Sequence, residues 1–279
     1  MVKRALLIGI NYNSVPDLTL NGCINDALLM RNVLIDAYSY ERENVVLMRD
    51  DGQASYQLPN RANIIDNLKT LCALTKETDE LWIHYSGHGT FVRDTNGDEV
   101  DNYDEVIVPL DYKTTAAIGD DELKSILENA EGTVIITQDC CNSGTGWDLP
   151  FRFTVDTANR VVLYRESNAM NNANIYMFSG SRDDQLAMDT YNRDIVRNIG
   201  AFTNALVECL REGNHNNNLV TLRTNINNYL EKGGYDQRSE FTSSNRTPDN
   251  VILTRNGISN QDPPSVRFNN ARPLNLMFL

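Results

Sequence analysis

The first half of the chain alternates short apolar runs with helically spaced apolar positions, an order that few architectures accommodate. A continuous apolar run over residues 5–10 is followed by Ala27, Leu28, Met30, Val33, Leu34 and Ala37 within a helical stretch at 25–37. The order repeats, with a strand predicted at 45–48, a helix at 61–74, strands at 81–85 and 106–110, a helix at 121–130 and a strand at 133–137. Strands that alternate with helices predict an α/β fold: a mostly parallel central sheet, helices on both faces and right-handed crossovers. The second half is less regular. Strands are predicted at 160–164, 175–179 and 251–253, and helices at 201–210 and 219–230. The polar stretch between Pro150 and Asn174 has no strong helical period, so residues 156–173 read as a mobile or cleavable connection. The apolar end at 274–279 is expected to dock on the body or on a partner.

Charge and composition narrow the function classes. With 25 basic against 38 acidic residues the net charge is −13, which argues against tracking nucleic-acid phosphate or an anionic membrane surface. At 279 residues and 41% hydrophobic content the chain can bury a substantial core. The amino terminus has two basic residues before six apolar ones and no small-residue cleavage site, and no run approaches the roughly eighteen apolar residues of a membrane span. A cytoplasmic protein is the expectation. The five cysteines agree with it: the number is odd, Cys140 and Cys141 are adjacent, and there is no CxxC, so they read as reduced thiols.

Two predicted strands run into segments that carry chemistry. The strand at 81–85 leads into Ser86-Gly87-His88-Gly89-Thr90, and the strand at 133–137 leads toward Asp139-Cys140-Cys141-Asn142-Ser143-Gly144. In an open α/β sheet the active site lies beyond the carboxyl ends of the strands, so His88 and Cys141 can meet there despite their separation in sequence. An imidazole beside a thiol favours the thiolate, the strong nucleophile. A buried packing cysteine and a satisfied loop histidine would be the bland alternative; the two glycine-flanked strand ends favour the dyad.

These segments resemble the metacaspases, caspase-fold cysteine peptidases found outside animals. The resemblance rests on residues 84–90, 139–145 and 21–27, and extends through Tyr103-Asp104-Glu105, Val108-Pro109-Leu110-Asp111, Asp148-Leu149-Pro150-Phe151, residues 178–185 and Gly200-Ala201-Phe202-Thr203. It implies one caspase-like three-layer domain over 1–279. Within it, 1–155 resembles a large subunit, 156–173 is the connection, and 174–279 resembles a small subunit with a C-terminal tail. It also implies roles: Cys141 as nucleophile, His88 as its acid–base partner, and the backbone at Gly89 and Cys141 as the oxyanion donors. Asp26 and Asp139, with Cys23 and Ser86, would line a pocket selecting Arg or Lys before the cut, since paired carboxylates suit a guanidinium or ammonium. Asp26 could instead simply favour the first turn of its helix, and Asp139 could cap a turn.

Acidic residues cluster again at 94–105 and at Asp120-Asp121-Glu122, a density of hard oxygen donors that suggests calcium, although the EF-hand template fails because Gly97 is misplaced. By resemblance the ligands are Asp104, Asp120, Asp121 and Asp148, holding an activating rather than catalytic ion. A solvated acidic hairpin, or an N-cap at Asp120 or Asp121, would explain the same residues. The resemblance further implies a monomer acting on protein or peptide substrates, with self-cutting at Arg152, Arg160, Arg165, Arg193 or Arg197. Asn142, where the family usually has His, and residues 186–188 depart from the pattern. A caspase preferring aspartate and a catalytically weak homologue that binds partners are the rival readings.

Overall fold

The computed structural model describes residues 1–93, 103–140, 147–155, 161–165, 170–172, 174–180, 189–192, 197–246 and 251–260. Strand β1 (Lys3–Gly9) leads through a loop to helix α1 (Cys23–Tyr38), then β2 (Val45–Arg49), α2 (Arg61–Leu74) and β3 (Glu80–Ser86). Next come the paired strands β4 (Gly89–Arg93) and β5 (Tyr103–Ile107), the single turn α3 (Tyr112–Thr115), β6 (Ile118–Gly119), α4 (Asp120–Leu127) and β7 (Thr133–Asp139). The remainder contains β8 (Phe151–Val155), β9 (Val161–Arg165), β10 (Ile175–Ser179), β11 (Asp189–Asn192), β12 (Arg197–Gly200) and α5 (Ala201–Glu212). It closes with β13 (Asn217–Asn218), α6 (Leu219–Lys232), β14 (Glu240–Ser243), β15 (Val251–Thr254) and β16 (Gly257–Asn260).

Eight strands form the central sheet in the order β2-β1-β3-β7-β10-β14-β8-β9. The first five run parallel, and β14, β8 and β9 add to them antiparallel. Successive side chains of a strand face opposite layers, and the core divides accordingly. Ala5, Leu7, Trp82, Ile135, Tyr176 and Phe178 pack with α1, α5 and α6, whereas Leu6, Ile8, Ile83, Val134, Ile136 and Met177 pack with α2 and α4. Burial on both faces explains why these strands read as unbroken apolar runs. Helix starts are set locally: the Asn60 and Asn218 side chains accept from the backbone N–H groups of Asn63 and Thr221 at 2.9 and 3.0 Å, capping α2 and α6.

The strand expected at 106–110 is displaced and re-paired. The strand runs over Tyr103–Ile107, burial extends from Glu105 to Pro109, and Pro109 has no N–H with which to continue a ladder. It therefore belongs to a small antiparallel sheet with β4 and β6. The strand expected at 160–164 is present as β9, inside the stretch 156–173 read as a connection, and pairs with β8 along the edge of the central sheet. Strand β8 itself, Phe-Arg-Phe-Thr-Val, alternates with period two and packs Phe153 against Phe241 in a tilted pair, 5.7 Å between centroids. Among the described residues no helix is long and apolar enough to cross a membrane.

The fold brings three strand ends into one row: Gly9 of β1 pairs with Ser86 of β3, and Ser86 with Asp139 of β7. Gly9 permits the start of α1 to lie against this row, because a Cβ there would come within 2.4 Å of the Cys23 carbonyl oxygen.

Candidate active site

Asp26 and Asp139 converge at the carboxyl end of the sheet. Asp26 comes from the first turn of α1 and Asp139 from the last residue of β7, and both are buried. Ser86 Oγ donates to Asp26 Oδ2 at 2.6 Å, and the Gly200 N–H donates to Asp26 Oδ1 at 2.8 Å. Thr203 donates to Asp139 Oδ2 through both its backbone N–H and its hydroxyl, at 2.9 and 2.8 Å. Gly200 is the N-cap of α5, so Asp139 supplies from another strand the oxygen that a capping side chain would provide. A Cβ on Gly200 would lie 2.0 Å from Asp139 Oδ2 and 3.0 Å from Asp26 Oδ2. One point in space thus sees both carboxylates, and these donors to them are neutral hydroxyls and amides. Cys23 and Ser86, the other expected lining residues, are buried beside them.

His88 follows β3 and is held from three sides. Its Nε2 lies 2.8 Å from the Leu18 carbonyl oxygen, which fixes the proton on Nε2 because a carbonyl can only accept. Its backbone N–H donates to the Tyr12 hydroxyl at 3.0 Å, and its carbonyl accepts from the Tyr85 hydroxyl at 2.7 Å and the Val108 N–H at 3.1 Å. The Tyr12 ring packs on the imidazole at 4.8 Å between centroids. Burial raises the pKa of both tyrosines, so they act as neutral hydrogen-bonding groups. Nδ1 has no hydrogen-bond partner among the described residues and is the nitrogen left for proton transfer. The bond from Val108 to His88 makes their pair a hydrogen-bonded rung, so at the next rung the Gly89 N–H points away from β5.

Cys141, Asn142 and the rest of 141–146 lie outside the described residues, as do 186–188, Arg160 and Arg193. The flanks of the cysteine segment are fixed. Gln138 Nε2 donates to Cys140 Sγ at 3.2 Å, and Gln138 Oε1 accepts from Trp147 Nε1 at 2.5 Å. Cys140, Gln138 and Trp147 are buried, which gives Cys140 a packing role. Arg152 and Arg165, two expected self-cutting positions, lie on β8 and β9, with Arg152 stacked on Tyr164 at 4.7 Å.

The acidic cluster is partly assembled. Asp120 is the first residue of α4, with Gly119 as the N-cap, and its carboxylate accepts from the N–H groups of Glu105 and Asp121 at 2.8 and 2.9 Å. Burial, with added repulsion from Asp148 and Asp104, pushes the Asp120 pKa up to about 7. Two of the other expected ligands thus act on Asp120 as like charges, the situation a divalent cation relieves. Asp148, at a left-handed φ of 51°, pairs with Lys124 at 3.4 Å, and Asp121 is exposed. Among the described residues no three donor side chains are arranged around one metal position. The cluster fits a cation by charge, and side chains must move to close a cage.

Asp120 also yields a pH expectation. Its folded pKa lies above the value near 4 of an unfolded carboxyl, so between about pH 4 and 7 the folded chain holds a proton the unfolded chain has lost. Its contribution to stability is full below pH 4 and declines to pH 7, at up to about 1.4 kcal/mol per pH unit for one proton. Melting curves recorded in a metal chelator should show this decline, and Asp104→Asn, which removes one repelling charge, should flatten it.

A three-layer arrangement with a histidine after β3, a cysteine segment after β7 and two converging buried carboxylates at the same strand ends defines a caspase-like fold. Residues 3–150 match the family description "Metacaspase, peptidase C14 domain". The chain is 33% identical to metacaspase-1B of Aspergillus niger over 87% of its own length and 65% of that protein's. It is 31% identical to metacaspase-1B of Aspergillus oryzae (90% and 70%) and 32% identical to metacaspase-1 of Cryptococcus neoformans (90% and 64%). The chain belongs to the metacaspase family. The fold also occurs in a crystal structure of a Geobacter sulfurreducens protein, with a TM-score of 0.62, 22% identity and coverage of 87% of this chain and 93% of that one.

Several functional residues escaped the sequence reading. Tyr12, the Leu18 carbonyl, Gly200 as the meeting point of the carboxylates and Thr203 as the donor to Asp139 all act through long-range contacts. The segment 200–203 carried resemblance but no role, and a backbone carbonyl leaves no mark in a sequence.

Proposed function

We propose that this chain is a cysteine endopeptidase that cuts after Arg or Lys through Cys141 and His88 and is activated by calcium. The observation carrying the reading is the convergence of Asp26 and Asp139 on one point at the strand ends, a pair of carboxylates of the kind that suits a substrate guanidinium or ammonium. With the Nε2 proton held by the Leu18 carbonyl, Nδ1 takes the Cys141 proton. The thiolate attacks the scissile carbonyl, and the N–H groups of Gly89 and Cys141 stabilise the oxyanion. The imidazolium returns its proton to the leaving amine, leaving a thioester. His88 then deprotonates a water that attacks the thioester, releasing the carboxyl product and restoring the thiol.

Asp104, Asp120, Asp121 and Asp148 would hold the calcium, which supplies charge neutralisation and no covalent chemistry. The substrates are proteins or peptides with a basic residue at the cut, and the chain acts as a cytoplasmic monomer. Reporter peptides ending in Arg, Lys or Asp, each with calcium or a chelator, test this. Arg and Lys reporters should be cut in calcium and at least about tenfold more slowly in chelator. Cutting of the Asp reporter would overturn the specificity, and unchanged activity in chelator would overturn the calcium requirement.

A further inference from the structure

Asp50 follows β2, two strands away from the one that leads to His88. Its Oδ1 accepts the Asn11 N–H at 2.8 Å and its Oδ2 accepts the Asn13 N–H at 2.9 Å. The residue between them, Tyr12, has a left-handed φ of 54°, a conformation a bulky residue adopts only when its surroundings impose it. From there the loop closes on itself. The N–H groups of Val15, Leu18 and Leu20 donate to the carbonyls of Tyr12, Val15 and Asn11 at 2.8, 2.9 and 2.9 Å. Asn11 Oδ1 ties the loop to the start of α1 by accepting the Ile24 N–H at 3.2 Å. Two of the holds on His88, the Tyr12 hydroxyl on its backbone and the Leu18 carbonyl on its ring, come from this one loop.

We infer that Asp50 is a positioning residue for the reaction: its two carboxylate oxygens clamp the 11–20 loop and thereby set where the His88 imidazole stands. This rests on the reading of His88 as the partner of Cys141. A carboxylate is needed because it accepts at both oxygens, whereas an amide presents an N–H₂ to one of the two backbone N–H groups. Releasing one end of the clamp frees Tyr12 to leave its left-handed conformation, and the Leu18 carbonyl shifts with it. A displacement of about 1 Å at a catalytic group is enough for losses on the order of 10²-fold.

The test is Asp50→Asn in the full chain. Expected are a kcat at least about tenfold lower with KM within about twofold, and alkylation of Cys141 by iodoacetamide at neutral pH, followed by mass spectrometry of its peptide, slowed by a similar factor. At pH 10, where the Cys141 thiol ionises without help from imidazole, alkylation should match that of the wild type. Tyr12→Phe should slow neutral alkylation as well, and the double variant should lose less than the product of the singles, because both act through one loop. Wild-type kcat and neutral alkylation in Asp50→Asn would overturn the inference, as would equal slowing at both pH values or fully multiplicative losses. Alkylation needs no substrate, so it still decides the matter where the wild-type chain cuts no reporter, a result that would count against the proposed function instead. Should Asp50→Asn fail to fold, Asp50→Glu, which keeps two accepting oxygens but moves them by one methylene from the Asn11 and Asn13 N–H groups, is read in the same way.

Discussion

Cys141→Ala is expected to reduce hydrolysis of an Arg-terminated reporter by at least about 10³-fold, and His88→Ala by a comparable factor. Alanine at 141 leaves no atom to form the thioester. Cys140 cannot stand in, since it is buried and its sulfur accepts from Gln138. Alanine at 88 leaves the thiol with no base and the leaving amine with no acid. The double variant should be no slower than the worse single, because a dyad is lost when either half goes. His88→Ala should also cost stability, because it deletes the ring packed on Tyr12 and the bond to the Leu18 carbonyl. Initial rates beside melting curves separate the two effects. A Cys141→Ala protein that keeps more than a tenth of wild-type activity would remove this residue as the nucleophile.

The architecture was legible because its strands are buried on both faces. Runs such as Leu-Trp-Ile-His-Tyr in β3 and Val-Ile-Ile-Thr in β7 carry their own signal, and the helices between them repeat at 3.6 residues. The failures share a cause. Strands β8, β14 and β4 are short or half polar, and their identity comes from partners distant in sequence, as when Phe153 meets Phe241. Neither local propensity nor periodicity records such a partner. The site divides in the same way. His88 announces itself by residue type at a glycine-flanked strand end, whereas Asp26, Ser86 and Asp139 are marked out only by the family resemblance. The loop that grips His88 does so with a carbonyl and a left-handed tyrosine, whose roles exist only after β1, β2 and β3 are side by side.

Asp139→Asn separates the two duties of this carboxylate. Asn can still accept the Thr203 N–H through its one oxygen, so α5 keeps its cap and the melting temperature should change little. The charge that would face the substrate guanidinium is gone, and kcat/KM for an Arg reporter should fall by about 10²-fold, the usual cost of removing one partner of a desolvated ion pair. Asp139→Ala should lose the same specificity and in addition destabilise the chain by about 1–2 kcal/mol, because the cap oxygen goes too. Gly200→Ala makes the complementary test from the other side. Its Cβ would enter the point at which both carboxylates converge, so Asp139 must turn away, and Arg cleavage and stability should fall together. If Asp139→Asn cut the Arg reporter as fast as the wild type, the pair would be only the structural brace of α1 and α5. The selection of basic residues would then have to come from elsewhere in the groove.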